Sequence, residues 1–167
     1  MVRAAIGLGS NLGRPRRRLA RALAALRRIA GVHIVAVSPP YVTAPVGGPP
    51  QPDYLNCVAL VETSLAARAL LARLQMIERR GGRRRAATPT RNAPRTLDLD
   101  LLLYGRRRAR HRELTLPHPR MHERAFVLRP LADVAPSAAI PGRGLAKQHL
   151  AATRRQRVAR AGVIPPP

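Results

Sequence analysis

The chain has little of what several function classes need. Its single cysteine, Cys57, forbids an internal disulfide and a Cys-rich zinc site. Lysine is equally scarce: Lys147 is the only one, and it lies near the C-terminus, outside any glycine-rich loop. A Walker-type phosphate loop, which needs Gly-Lys-Ser/Thr opening a helix, is therefore absent. Tryptophan is missing, and the aromatic rings are Tyr41, Tyr54, Tyr104 and Phe126. No apolar run approaches a membrane span. The start, MVRAAIGLGSNLG, meets polar residues too early for a signal peptide. These absences predict a cytoplasmic protein with no membrane partner.

Negative charge is the scarcest commodity. Eight acids stand against 31 bases, for a formal net charge of +23. Such a balance has two readings: a polyanion partner, or surface positions that have drifted to arginine. The arginines are spread through RPRRRLAR, RRGGRRR, YGRRRARHR and TRRQRVAR and are not confined to one arm. RNA is disfavoured, since single-strand readers need several aromatic stacking platforms and this chain has few.

At 167 residues the chain is long enough for one domain with a real core. Residues 2–9 read as a strand. A helix follows with Pro15 in its first turn, Leu19, Leu23 and Leu26 at helical spacing, and Gly31 as its stop. Residues 33–43 read as a strand interrupted by Pro39-Pro40, which fits an edge or a bulge. The Pro- and Gly-rich stretch 44–53 is a loop. In the strand from Tyr54 to Glu62, alternation puts Tyr54, Asn56, Val58 and Leu60 on one face and Leu55, Cys57, Ala59 and Val61 on the other.

Ser64 is a fitting N-cap for a helix over about 65–80, ended by Gly81-Gly82. After a basic loop, 83–94, another strand runs to Leu103 or Tyr104. A short helix near 119–125 leads into a packed segment, and the tail from 143 has the composition of a basic, partly helical stretch. This order suggests βαββαβ, a ferredoxin-like α+β antiparallel sheet with helices on one side.

The run Arg95 to Tyr104, RTLDLDLLLY, carries two of the eight acids in one apolar strand. Alternation puts Thr96, Asp98, Asp100 and Leu102 on one face and Leu97, Leu99, Leu101 and Leu103 on the other. Carboxylates at i and i+2 stand roughly 6 to 7 Å apart at their Cα atoms. Buried and ionised they repel, so a cation must compensate. Arginine can do this, and so can magnesium, which takes carboxylate oxygens together with substrate phosphates. Spacing leaves both open. The neighbouring loop supplies Arg83, Arg84, Arg85, Arg91 and Arg95, whose forks fit phosphate oxygens. Acids for metal beside arginines for phosphate suggest phosphoryl transfer. His118 and His122 have no obvious third metal ligand. GLGSNLG lacks full dinucleotide-loop spacing. Tyr54 and Phe126 are either core or two faces for a flat heterocycle.

Four segments, GLGSNLG, PPQPDYLNCV, NAPRTLDLDLLLYG and LPHPRMHERAFVLRPLADVAP, occur in that order over about residues 4 to 140. Together they resemble the 6-hydroxymethyl-7,8-dihydropterin pyrophosphokinases of folate biosynthesis. The resemblance implies transfer of a diphosphate from ATP, the co-substrate, to the pterin's hydroxymethyl group with two Mg2+ ions, on a ferredoxin-like fold.

Position by position it implies Asp98 and Asp100 as metal ligands, and Thr43, Ala44, Val46, Tyr54, Asn56 and Phe126 as pterin contacts. It puts Gln75, Glu78, Arg85, Arg95, Thr115, His118 and Arg124 around ATP, and Arg83 and Arg95 at the chemistry. Arg83 is preferred because it follows the helix-ending glycine. The 79–94 loop is slightly longer than in the best-known members, and the place of a family tryptophan falls near Asn92. The expected organisation is a pyrophosphokinase domain over 1–142 and a tail over 143–167 that matches nothing recognisable. A monomer acting on small molecules is expected, with no fused neighbour at this length.

Overall fold

Val2–Ser10 form strand β1, buried on both faces over most of its length. The computed structural model describes residues 1–82 and 93–166. Helix α1 (Pro15–Arg27) follows, with Pro15 where a missing N–H costs nothing and Leu19, Leu23 and Leu26 buried. Next come β2 (Val32–Val37), β3 (Tyr41–Thr43), β4 (Tyr54–Thr63) and helix α2 (Ala67–Arg80). Strand β5 (Asp98–Tyr104) precedes a hairpin of β6 (Ala109–His111) and β7 (Leu114–Leu116). A 3-10 turn, Met121–Glu123, leads into helix α3 (Ala125–Val134). A small hairpin of β8 (Ala139–Ile140) and β9 (Gly144–Leu145) follows. Two 3-10 turns, Ala146–His149 and Ala151–Thr153, then lead to β10 (Val158–Arg160).

The main sheet is antiparallel with order β10-β3-β4-β1-β5, and β2 joins the same edge of β4 as β3. Counting β2 and β3 as one interrupted strand, β1-α1-β2/β3-β4-α2-β5 is the ferredoxin-like βαββαβ order. Pro39-Pro40 cause the interruption, because neither can donate to a ladder. Ser38 repairs it: its N–H donates to Val58 O (2.9 Å) and its hydroxyl accepts from Val58 N–H (3.0 Å).

The structure corrects four details of the pattern. Ser64 does not cap α2, which starts at Ala67 without a side-chain cap. The turn belongs to Thr63, whose hydroxyl donates to Gly31 O (2.7 Å) and accepts from Leu65 N–H (3.0 Å). The packed segment after 125 is a full helix, α3, despite Pro130 inside it. Burial of Val127, Leu128 and Leu131 outweighs the hydrogen bond that proline cannot make.

The two helices of the βαββαβ unit share one side, but the added helix α3 does not. α1 and α2 cover one face through Ile6, Leu8, Leu70, Leu74 and Leu99, whereas α3 packs on the other through Val58, Leu102, Leu128 and Leu131. Finally, β1 and β5 shift register between Ala5 and Ile6, which pair with Leu103 and Leu101. Leu102 is the extra residue of this bulge. Alternation therefore breaks: Leu102 and Leu103 both bury on the α3 side, and Tyr104 returns to the other core.

Candidate active site

The α3 face of the sheet opens as a trough because β1 contributes glycine there. Gly9 pairs with Asn56 of β4 on one side and Asp98 of β5 on the other; Gly7 likewise lies between Val58 and Asp100. Residues in register on adjacent strands share a face. With no side chain on β1, the acids of β5 and the polar residues of β4 look into one space. A Cβ on Gly9 would stand 2.7 Å from Asn56 Oδ1, and one on Gly7 would stand 3.3 Å from Leu102 Cδ1. The resulting pocket measures about 860 Å³ including its open mouth.

Its walls bring together all six expected pterin contacts: Thr43, Ala44 and Val46 at the end of β3, Tyr54 and Asn56 on β4, and Phe126 in the first turn of α3. Asn56 Nδ2 donates to the buried Thr43 hydroxyl at 2.7 Å, which fixes the amide across the strand pair. The Tyr54 hydroxyl lies 3.0 Å from Gln51 Oε1 and 3.1 Å from Ala93 O. Both rings are half-buried and line the cavity. The Arg124 guanidinium stands 5.4 Å from the Phe126 ring centre, within cation–π range.

Asp98, Asp100, Arg95 and Arg124 line the same pocket. Arg95 Nη1 donates to Asp98 Oδ2. Burial opposes the Arg95 charge, but Asp98 and Asp100 outweigh it and hold its guanidinium above the ordinary value. Asp100 is the more accessible acid, with 38% of its side chain exposed against 17% for Asp98.

His118 reaches the site because its N–H donates to Leu102 O (2.9 Å), bringing its Nε2 to 3.9 Å from Asp100 Oδ2. Burial, with the Arg124 charge beside it, pushes its imidazole down to about 4. The ring is therefore neutral at pH 7, and its Nδ1 accepts the Arg120 N–H at 3.2 Å. The contact with Asp100 is accordingly not an ion pair at that pH. Burial also lowers Arg124, Asp100 pulling against it and Arg120 adding to it.

The other expected nucleotide residues are not all here. Thr115 and His118 line the adjoining pocket, with Arg108, Arg110 and Arg143. Gln75 is half-buried on α2 and does not line the pterin-side pocket. Glu78 is buried, and its Oε1 accepts the Leu99 N–H at 2.8 Å. Arg83, Arg84, Arg85, Arg91 and Asn92 lie outside the described residues.

Residues not foreseen from the sequence hold the site in register. Asn11 exchanges two bonds with Arg95: its N–H donates to Arg95 O (3.1 Å) and its Oδ1 accepts from Arg95 N–H (2.9 Å). Its Nδ2 also donates to Gln51 Oε1 (2.9 Å) and Pro52 O (3.0 Å), so one buried amide ties the proline-rich loop to the basic segment. Ser10 donates to Thr96 O at 2.6 Å. The available signal was GLGSN itself: two glycines on one strand face, then a short polar pair at the strand's end.

A family model described as 7,8-dihydro-6-hydroxymethylpterin-pyrophosphokinase (HPPK) matches residues 5–136. A 2-amino-4-hydroxy-6-hydroxymethyldihydropteridine pyrophosphokinase from Haemophilus influenzae is 44% identical over 141 residues, covering 84% of this chain and 86% of that one. Its Pseudomonas aeruginosa counterpart is 46% identical over 136 residues, covering 81% and 82%. Among solved structures, Plasmodium falciparum HPPK-DHPS superposes with a TM-score of 0.65 at 12% identity, over 91% of this chain. The match spans 43% of that longer chain and concerns the fold alone.

Proposed function

Because the chain belongs to the 7,8-dihydro-6-hydroxymethylpterin-pyrophosphokinase family, we propose that it transfers the diphosphate of ATP to the hydroxymethyl group of the reduced pterin, releasing AMP. One observation carries this reading furthest. A single pocket is lined by two flat rings, a fixed Asn56–Thr43 pair, two carboxylates and three arginines, Arg95, Arg120 and Arg124. That set suits a flat polar heterocycle next to a polyphosphate.

In this scheme the pterin ring lies against Tyr54 and Phe126, and Asn56 meets its polar edge. The pterin hydroxyl oxygen attacks the β phosphorus in line, the bond to the α-phosphate oxygen breaks, and AMP leaves with that oxygen. Positioning and electrostatics do most of this work. Arg95 stabilises charge on the transferred group, and Arg83 shares that role. Arg124, Thr115 and His118 contact the nucleotide, together with Gln75 and Arg85, while Glu78 serves the site by holding the acid-bearing strand.

Among the described residues no cluster of three or more His, Cys, Asp or Glu side chains forms a metal cage. Magnesium does not need one, since in phosphoryl-transfer sites it is held by one or two carboxylates, phosphate oxygens and water. Asp98 and Asp100 fit that role, and Asp98 would exchange part of its pairing with Arg95 for the ion. When bound, magnesium neutralises phosphate charge and makes a coordinated hydroxyl easier to deprotonate. We read the protein as a cytoplasmic monomer. Among the described residues, no helix is long and apolar enough to cross a membrane.

The test is direct. The protein is incubated with ATP, Mg2+ and the reduced pterin, and AMP and pterin diphosphate are followed by chromatography. Equal amounts of both products are expected, dependent on both substrates and on the metal. Absence of AMP under these conditions overturns the assignment.

A further inference from the structure

The segment beyond residue 142 touches both walls of the pocket without lining it. Gln156 spans the entry to α3: its Nε2 donates to Glu123 O at 2.7 Å, and its Oε1 accepts the Ala125 N–H at 2.9 Å. Those two backbone groups flank Arg124 in the chain. Ala125 is the first residue of α3, and first-turn N–H groups have no partner inside a helix. The helix has no side-chain cap of its own at Arg124. Gln156 supplies one from 31 residues away.

Shortly afterwards the same segment becomes β10 and joins the opposite wall. Val158 pairs with Thr43, Ala159 with Val42 and Arg160 with Tyr41. Thr43 is the residue whose hydroxyl accepts from Asn56. The far end is also anchored. Ala161 N–H donates to Pro40 O (2.8 Å), and the Arg16 guanidinium donates to Ala161 O (2.6 Å) and Val163 O (2.7 Å). Residues 156–160 therefore tie the wall bearing Arg124 and Phe126 to the wall bearing Thr43 and Asn56. The span is held from outside the cavity, and it lies beyond residue 136, where the family match ends.

The geometry points to Gln156 as a positioning residue that sets the width of the slot between Phe126 and the β3–β4 wall, and with it the affinity for the flat ring. This rests on the pocket being the pterin site. Arg124, between the two anchored groups, also serves the nucleotide, but Thr115 and His118 line an adjoining pocket that no residue of 156–160 lines, so ATP affinity should fall less than pterin affinity.

Gln156→Ala and Gln156→Glu are compared with wild type in the full chain. The measurements are KM for each substrate, kcat, and the thermal midpoint. Loss of both hydrogen bonds should raise the pterin KM on the order of tenfold, with a clearly smaller rise in the ATP KM through Arg124. Gln156→Glu still accepts from Ala125 N–H but turns a carboxylate oxygen towards Glu123 O, 2.7 Å from the present donor, so it too should raise the pterin KM. A pterin KM within about twofold of wild type in both variants overturns the proposal, since each hydrogen bond is worth more than that on average. So does an equal rise for both substrates alongside a lower midpoint, which marks a merely structural role. If Gln156→Ala does not fold, the Gln156→Glu split between the two KM values decides. If wild type makes no AMP, the site assignment itself fails, and the proposal with it.

Discussion

Glu78 accepts a hydrogen bond from the backbone N–H of Leu99 at 2.8 Å, and Leu99 is the residue between Asp98 and Asp100. Among the described residues β5 has only β1 as a ladder neighbour, and this N–H lies on the strand's other edge. A buried carboxylate in a chain so poor in acids is thus spent on holding the acid-bearing strand. Removing the acceptor leaves a buried donor unmatched. Glu78→Ala should lose about 1–3 kcal/mol of stability, and Glu78→Gln much less because it keeps an acceptor. Urea unfolding midpoints of the two variants check the difference.

The two aspartates should be separable from the fold. Both lie at the trough and outside the two apolar cores. Asp98→Ala and Asp100→Ala should each lower magnesium-dependent AMP formation on the order of 10³-fold or more, with circular dichroism unchanged. Normal turnover by either variant would show that the metal assignment is wrong. Asp98→Ala also deprives Arg95 of its partner, so it should be the more damaging to ATP affinity.

Gly9 should tolerate no side chain. Gly9→Ala places a methyl 2.7 Å from Asn56 Oδ1, and the amide cannot yield without losing its bond to Thr43. Pterin affinity should fall by about tenfold or more, as expected for displacing a fixed buried hydrogen-bonding group. Gly7→Ala meets only the Leu102 side chain, at 3.3 Å, and should cost less. A fluorescence titration with the reduced pterin distinguishes the two.

Stability should fall on acidification through His118. Its folded value is about 4 against an ordinary 6.5, so above pH 6.5 the ring is neutral in both folded and unfolded chains. Between pH 6.5 and 4 the unfolded chain binds a proton that the folded one refuses. Stability is therefore lost as pH falls through that window, by up to about 3 kcal/mol. His118→Gln should flatten this slope. Unfolding midpoints of both proteins at pH 7 and pH 4.5 separate the His118 contribution from that of the carboxylates, which is common to both.

What could be read from the chain was whatever depends on neighbours in sequence. Periodicity located α1 and α2, alternation sorted Asn56 and Val58 from Leu55 and Cys57, and RTLDLDLLLY announced two carboxylates on one strand face. These follow from the repeat of a helix or strand, which is local. The alternation failed at Leu102 and Leu103, because a bulge depends on the partner strand's register. α3 was hidden by Pro130, whose local cost only burial against Val58 and Leu102 outweighs.

Pairing across the sheet decided the rest. It set Gly7 and Gly9 between the acids and Asn56, and it joined Asn11 to Arg95 across 84 positions of sequence. It also brought the C-terminal strand alongside Thr43 and Gln156 onto the start of α3. Such contacts carry no periodic signature. Each is a hydrogen bond or register between residues far apart in the chain, fixed only once the two cores have packed. The identity of the chemical groups was therefore written in the sequence, but the distances that let them act together arose from the fold.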